Sequence, residues 1–228
     1  MSHGVSFVSA YTWSKTIDYN SQAITYYHIL GHPVFPQNSY DLKAERGLSS
    51  FDVPHRVVFS GTWNLPGPGK NANAVTRMLL GDWETNGIVS LNSGYPFTVV
   101  DSANPSTTGE YGPTDRPNLV GDPNAGPHTV ASWFNTAAFQ ALPPSGGFGN
   151  AGRNIVRGPT LKAVDLSVFK NFNIQEKWKV QFRAEFFNLF NHPNFLPPVN
   201  DISSPTFGRI TETSTDAREI QFGLKVSF

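Results

Sequence analysis

The sequence contains no cysteine, which removes disulfide frameworks, thiolate metal sites and cysteine nucleophiles together. It also lacks a run of roughly 18 to 20 apolar residues, the length that a membrane-spanning helix needs. Even residues 81–100 are interrupted by Asp82, Glu84, Asn86 and Asn92. A helical membrane protein is therefore excluded.

Charge is scarce and balanced. Charged residues make up 15% of the chain, with 17 basic and 17 acidic side chains and a formal net charge of zero. No basic stripe interleaved with aromatic residues is present, so nucleic acid is not an expected partner. Residues 1–10 show no basic segment followed by an apolar one, so we expect no secretion signal here, and an exported protein would need upstream sequence.

Alternation with a period of two is the clearest pattern in the chain, and it is the spacing of a β-strand with two different faces. The last strand shows it best, with Ile220, Phe222, Leu224, Val226 and Phe228 on one face and Glu219, Gln221, Gly223, Lys225 and Ser227 on the other. The same pattern predicts strands at residues 177–188, 164–168 and 56–65, and weaker ones at residues 5–13 and 83–92. The sequence therefore predicts an all-β fold of about six strands.

The connections between these strands alternate in length. Residues 16–54, 100–161 and 193–217 form long connections, whereas residues 66–81 and 171–176 form shorter ones. Outer-membrane β-barrels have short periplasmic turns and longer extracellular loops. Because the C-terminus of such a barrel lies on the periplasmic side, counting back from the last strand places all three long connections on the extracellular side.

A soluble β-sandwich also alternates apolar and polar residues, and it is the main structural alternative. Strands of about ten residues are longer than the usual five or six. Aromatic residues also stand near the strand ends, where membrane barrels carry interfacial girdles. These residues are Trp13, Trp63, Trp83, Trp178 and Phe228. Both features favour the membrane barrel.

Five internal stretches and the last strand resemble a known family. They are residues 40–56 (YDLKAERGLSSFDVPHR), 116–122 (RPNLVGD), 133–139 (WFNTAAF), 149–159 (GNAGRNIVRGP), 165–195 (DLSVFKNFNIQEKWKVQFRAEFFNLFNHPNF) and the terminal QFGLKVSF. Over nearly its whole length the chain resembles the C-terminal barrel region of TonB-dependent outer-membrane receptors, specifically the Oar-like group.

The resemblance implies a barrel of about 22 strands that is plugged by an N-terminal domain and energised through a TonB box. Residues 1–228 would then be the C-terminal portion of that barrel, without the plug domain or the signal peptide. About six strands are fewer than the roughly eight of the smallest closed barrels, so we expect an incomplete antiparallel transmembrane β-barrel segment with long extracellular loops. Unpaired strand edges are costly in lipid, and we therefore expect a fragment or truncated reading frame of a longer protein.

The function that the resemblance implies is active uptake of an unidentified solute across the cell outer membrane. The expected partners are outer-membrane lipid, the barrel-assembly machinery and, through the missing upstream parts, the TonB complex. The alternating last strand with its aromatic end resembles the signal read by the assembly machinery, here Ile220, Phe222, Leu224, Val226 and Phe228. The alternatives are a secreted β-sandwich module that binds carbohydrate or peptide, an outer-membrane enzyme and a passive porin.

Two groups of residues are candidates for contact with a plug or a solute. The polar strand faces would point into the lumen, and their charged members are Arg56, Glu84, Asp165, Lys179, Arg183, Glu185, Glu219 and Lys225. Mixed signs on neighbouring strands favour cross-strand ion pairs or plug contacts over one attractive field. The longest loop offers Tyr111, Trp133, Phe134 and Phe139 as candidates for stacking on a sugar or peptide, although packing of these rings against the loop itself is the favoured interpretation.

Motifs for nucleotide binding are weak. Gly147, Gly149 and Gly152 have the spacing of a dinucleotide-binding loop. However, Pro143 and Pro144 precede them where a buried strand should lie, and no amphipathic helix follows. We therefore expect these glycines to shape an irregular extracellular loop.

Motifs for metal binding and catalysis are also weak. His28 and His32 are four residues apart, but glycine and proline flank the second histidine and no carboxylate motif completes a site. Asp41 and Glu45 are interpreted as a solvated pair rather than as a general acid and base. We predict no catalytic residue, no cofactor, no metal site and no enzymatic activity.

Overall fold

The structure is a computed structural model that describes residues 4–21, 35–69, 71–108, 115–174 and 178–228. Six long strands form one antiparallel sheet in which each strand pairs with its neighbours in the sequence, so the predicted antiparallel sheet is confirmed. The strands are β1 (Val5–Trp13), β2 (His55–Asn64), β3 (Trp83–Asn92), β4 (Leu161–Ile174), β5 (Trp178–Phe187) and β6 (Glu219–Ser227). β1 and β6 are the two edges and do not pair with each other.

The sheet has two chemically different faces, because residues paired on adjacent antiparallel strands lie on the same face. One row across all six strands joins Phe7, Gly61, Gly87, Leu166, Phe186 and Ile220. The neighbouring row joins Ser6, Thr62, Asn86, Ser167, Glu185 and Gln221. We call the face of the first row the apolar face and that of the second row the charged face.

The apolar face is open along the sheet. The side chains of Phe7, Phe222 and Leu224 are 66%, 67% and 69% exposed. A β-sandwich would bury such a face against a second sheet about 10 Å away. The exposure of these large side chains therefore disfavours the sandwich alternative and requires another apolar medium.

The connections leave the sheet at two opposite ends. The described residues of the connections 14–54, 93–160 and 188–218 lie at one end, which we call the long-loop end. Residues 65–82 and residues 175–177 connect strands at the other, the short-turn end, and the latter are outside the described residues. All three long connections therefore share one end, as predicted.

The end of β4 differs from the prediction. β4 extends to Ile174, beyond the strand predicted at residues 164–168 and into the turn predicted at residues 171–176. Phe169 and Lys170 break the alternation, because Lys170 pairs with residues of the apolar face while Phe169 lies on the charged face. Beyond them the alternation resumes, since Phe172 pairs with Val180 on the apolar face while Asn171 and Asn173 lie on the charged face.

A short helix, α1 (Ala74–Leu80), lies in the connection between β2 and β3. Asn73 caps it, since its Oδ1 accepts a hydrogen bond from the Thr76 N–H at 2.8 Å. Trp83 Nε1 donates to the Leu79 carbonyl at 2.9 Å and fixes the helix beside the start of β3. No helix among the described residues is long and apolar enough to cross a membrane.

The hydrophobic core lies in the long connections rather than between the strands. We call the described parts of these connections the loop layer. It contains three two-stranded ladders, Ile17–Asp18 with Gly47–Leu48, Pro96–Phe97 with Val156–Arg157 and Asn118–Leu119 with Phe139–Gln140, and the 3-10 helices Leu42–Glu45 and Thr136–Ala138. Its buried apolar side chains are Phe97, Val99, Phe134, Ala138, Phe139, Ala151 and Val156.

A buried ion pair joins the first long connection to the second. Arg116 Nη1 lies 2.7 Å from Glu45 Oε2, and the two side chains are 2% and 3% exposed. Gln37 completes the contact, because its N–H donates to Glu45 Oε1 at 3.1 Å and its Oε1 accepts from the Arg116 N–H at 2.8 Å. Glu45 is thus a buried partner of an arginine, which corrects the interpretation of Asp41 and Glu45 as a solvated pair.

Two further arginines repeat this arrangement. Arg153 binds the Asp18 carboxylate and also donates from Nη2 to the Asp18 carbonyl at 2.7 Å. Arg157 Nη2 lies 2.5 Å from Asp52 Oδ2, and the Asp52 side chain is fully buried. In all three pairs the carboxylate belongs to the first long connection and the arginine to the second. The loop layer is therefore held by charge as well as by apolar packing.

Two glycines allow backbones in the loop layer to approach each other closely. A Cβ on Gly149 would lie 2.0 Å from the Arg116 carbonyl oxygen. A Cβ on Gly94 would lie 1.9 Å from the Gly158 carbonyl oxygen. Among the described residues no helix follows the segment around Gly149. Gly149 therefore serves a close backbone approach and Gly147 a turn of positive φ, rather than a phosphate-binding loop.

Replacing Glu45 tests the importance of the buried pair. We expect Glu45→Gln to lower the free energy of unfolding of the loop layer by about 3–5 kcal/mol, because Arg116 would stay buried without a counter-charge. The measurement is a urea titration of the detergent-solubilised protein followed by tryptophan fluorescence. Glu212→Gln, at an exposed loop position, is the control. Equal midpoints for the two variants would contradict the role assigned to the pair.

Candidate functional site

The charged face brings all eight charged candidates to one side of the sheet. They are Arg56, Glu84, Asp165, Lys179, Arg183, Glu185, Glu219 and Lys225. Each is at least partly exposed. The face therefore presents both signs of charge to whatever occupies the space beside it.

Few of these charges are neutralised by the described residues. Glu84, Asp165 and Arg183 make hydrogen bonds to neutral groups at 3.2, 2.9 and 2.7 Å. The ion pairs of the described residues all lie in the loop layer, so the predicted cross-strand pairs do not form among them. The side chains of the five other candidates have no hydrogen-bond or ion-pair partner in the described ranges. The role that remains predicted for these charged side chains is contact with a plug or a solute.

The aromatic candidates of the longest loop lie mostly inside the loop layer. Phe134 is 1% exposed and Phe139 is 6% exposed, and their rings meet edge to face with centroids 5.8 Å apart. Trp133 is partly buried, and its Nε1 donates to the Arg157 carbonyl at 2.8 Å. Tyr111 lies outside the described residues. In this conformation the two phenylalanines pack inside the hydrophobic core of the loop layer. Contact of these rings with a ligand stays a prediction, and it would require that core to open.

Two open pockets are available to solutes of modest size. One, of about 460 Å³, lies in the loop layer and is lined by Val130, Phe195 and the segment 210–213. The other, of about 580 Å³, lies at the short-turn end and includes Glu84 and Lys179 of the charged face. Both volumes fall in the range of small-molecule sites, although neither pocket is enclosed.

The C-terminal residues form the outer part of the apolar face. Ile220, Phe222, Leu224 and Val226 pair with residues of β5, and each is at least 49% exposed. Phe228 follows the last strand residue, and its ring centroid lies 5.2 Å from that of Trp178. The proposed assembly signal is therefore accessible and ends in an aromatic contact at the short-turn end.

Neither the arginines of the loop layer nor Lys170 was predicted as a special residue. Arg116, Arg153 and Arg157 all lie within stretches that carry the family resemblance, which is the signal that could have identified them. Lys170 has a local signal, because it places a charge at an apolar position of the alternating strand. It is 3% exposed, which makes it a buried charge on the apolar face.

No three His, Cys, Asp or Glu side chains of the described ranges come together as a metal site. No curated protein and no solved structure matches the chain. Residues 1–221 match a family model described as an outer membrane beta barrel domain, and the match covers nearly the whole chain. The open six-stranded sheet with its exposed apolar face fits that description. The chain therefore belongs to the outer membrane β-barrel domain family and is a protein of the cell outer membrane.

Proposed function

We propose that this chain forms the C-terminal part of the barrel wall of a TonB-dependent outer-membrane transporter of the Oar-like group, which takes up a solute actively. The observation that carries the proposal is the unneutralised charged face opposite an exposed apolar face. Water can solvate charges on a lumen face, but several charges of both signs are also suited to contact with a polar body inside the barrel. A polar body such as a plug would supply partners for these charges.

In the proposed arrangement the apolar face contacts lipid and the charged face lines the lumen. The loop layer is then extracellular, and the short-turn end, including α1, is periplasmic. The pocket beside Val130 and Phe195 is the leading place for solute contact, because it lies in the layer that an arriving solute meets first. The role proposed is transport rather than catalysis.

Closure of the barrel needs more strands than the six present here. β1 and β6 each have one strand neighbour, and unpaired backbone groups are costly in hydrocarbon. The smallest closed barrels have about eight strands. We propose that the other strands belong to the same longer protein, together with the plug and the segment that contacts the TonB complex.

The proposed partners follow from this arrangement. Outer-membrane lipid would cover the apolar face, and the barrel-assembly machinery would read β6 and Phe228. A secreted β-sandwich that binds carbohydrate or peptide finds no support in the structure, because no second sheet covers the apolar face of the described residues. A passive porin differs from the proposal in one respect that can be measured, namely the need for energy.

Dependence on TonB separates active uptake from passive diffusion. We expect a strain that lacks this protein and a strain with inactivated TonB each to fail to take up the same solute. Mass spectrometry of the spent growth medium would then detect that solute in both cultures. A copy of the gene restored to the deletion strain is the control and should restore depletion of that solute. If deletion stops depletion but TonB inactivation does not, the protein is a passive pore.

Two adjacent residues test which face contacts lipid. Phe7 and Val8 lie in the middle of β1, are 66% and 65% exposed, and belong to the apolar and the charged face respectively. We expect Phe7→Arg to block assembly, because an arginine in the middle of the lipid-facing surface costs about 2–4 kcal/mol. Val8→Arg should assemble normally.

The measurement for this pair is the amount of protein in the outer-membrane fraction and its heat-modifiable migration on gels. Both variants introduce the same charge at nearly the same depth, so they differ mainly in the face that receives it. Equal assembly of the two variants, or failure of Val8→Arg alone, would reject the assignment of the faces.

A further inference from the structure

Lys170 is a buried cation without an anionic partner. It lies on the apolar face, where its backbone neighbours across the sheet are Trp83 and Phe182. The residue is 3% exposed, and no described carboxylate comes within ion-pair distance of its ammonium group. A buried charge is costly unless other groups stabilise it.

The contacts of Lys170 leave part of its binding capacity unused. Its Nζ donates to the carbonyl oxygens of Gly81 and Asn171, the second at 3.2 Å. The rings of Trp83 and Phe172 lie 5.8 and 4.8 Å from Nζ. An ammonium group has three N–H donors, so one is left without a described acceptor. Carbonyls and rings stabilise the charge, but they do not cancel it.

This arrangement is not ordinary snorkelling. A snorkelling lysine lays its chain along apolar surface and keeps its ammonium in water. Lys170 is instead almost fully enclosed between β4, the start of β3 and the end of α1. Trp83, which lies beside the ammonium group, also donates a hydrogen bond from Nε1 to the Leu79 carbonyl of α1.

A groove of about 360 Å³ opens beside Lys170 at the short-turn end. It is lined by the charged side chains of Lys170, Arg77 and Asp82, by Asn171 and Asn173, and by the apolar side chains of Met78, Phe172, Ile174 and Val180. Arg77 is exposed, and its guanidinium has no hydrogen-bond or ion-pair partner among the described residues. The groove therefore brings two cations and one carboxylate together with apolar side chains, of which Phe172, Ile174 and Val180 lie on the apolar face.

We propose that this groove binds one glycerophospholipid of the membrane leaflet at the short-turn end. The lipid phosphate accepts hydrogen bonds from Lys170 and Arg77, and an acyl chain lies along Met78, Phe172 and Val180. Basic pockets at the membrane surface are known to recognise lipid head groups in this way. The inference rests on the proposed function, because it requires the apolar face to contact lipid.

Binding can be measured on the full-length protein after extraction from outer membranes and removal of lipid. Native mass spectrometry follows a titration with phosphatidylglycerol, with diacylglycerol of the same acyl chains and with inorganic phosphate. We expect one phosphatidylglycerol to bind, and neither of the other two to bind at the same concentration. The phosphate and the chain must both be present for a stable complex.

Variants locate the site. We expect Arg77→Gln and Lys170→Gln each to weaken phosphatidylglycerol binding about tenfold, because each removes a charge-assisted hydrogen bond to the phosphate. Lys162→Gln is the matched control, since Lys162 lies on the same strand and the same face but at the long-loop end. It should bind as the unmodified protein does.

Several results would overturn the inference. Equal binding of diacylglycerol would show a merely apolar surface, and equal binding of inorganic phosphate would show a simple anion site. Unchanged affinity in Arg77→Gln would also reject it, and this exposed position is informative even if Lys170→Gln fails to fold. If the lipid-binding site is rejected but Phe7→Arg and Val8→Arg still differ in assembly, the proposed function is retained.

Discussion

Hydrocarbon offers no hydrogen bonds, so every backbone N–H and C=O of a membrane-embedded strand must be paired within the protein. The four inner strands of the sheet meet that constraint by pairing with both sequence neighbours along almost their whole length, whereas β1 and β6 are paired on one side only. Continuous pairing also fixes the register, and the register aligns six separate alternations into one apolar and one charged face. Backbone pairing therefore creates the two faces of the sheet. Whether a face carries apolar or charged side chains depends on whether it contacts lipid or the lumen.

The same constraint explains why the core of this protein lies in the loops. A single sheet between lipid and lumen cannot bury side chains against itself, so the buried side chains of the described residues are concentrated in the loop layer. There the long connections behave as a water-soluble domain, with an aromatic cluster and arginine–carboxylate pairs between segments far apart in the chain. Tying the first connection to the second also ties β1 and β2 to β3 and β4 at the long-loop end.

The sequence predicted what depends on neighbouring residues and missed what depends on distant ones. Strand positions, faces and the sharing of one end by the long loops follow from the local period of two. The interlocked arginines could not be predicted this way, because Arg116 and Glu45 are 71 residues apart and Arg157 and Asp52 are 105 apart. The alternating pattern also failed near the end of β4. There the start of β3 and the end of α1 enclose Lys170, so that a lysine occupies a position on the apolar face.

Buried charges are stabilised differently in the loop layer and in the six-stranded sheet. In the loop layer, Arg116 and Arg153 are buried beside carboxylates and the buried Asp52 pairs with the partly exposed Arg157, whereas the buried Asp101 and Asp115 accept hydrogen bonds from serine hydroxyls. Lys170 is the buried charge of the described strands, and carbonyls and aromatic rings surround it instead. It stands at the same end of the apolar face as Trp63, Trp83 and Trp178, which are the residue type that prefers the membrane interface. A buried lysine is tolerated at this end of the apolar face because the hydrocarbon of the membrane ends there and the lipid phosphates begin. Lys170 therefore marks the boundary between the hydrocarbon and the head groups.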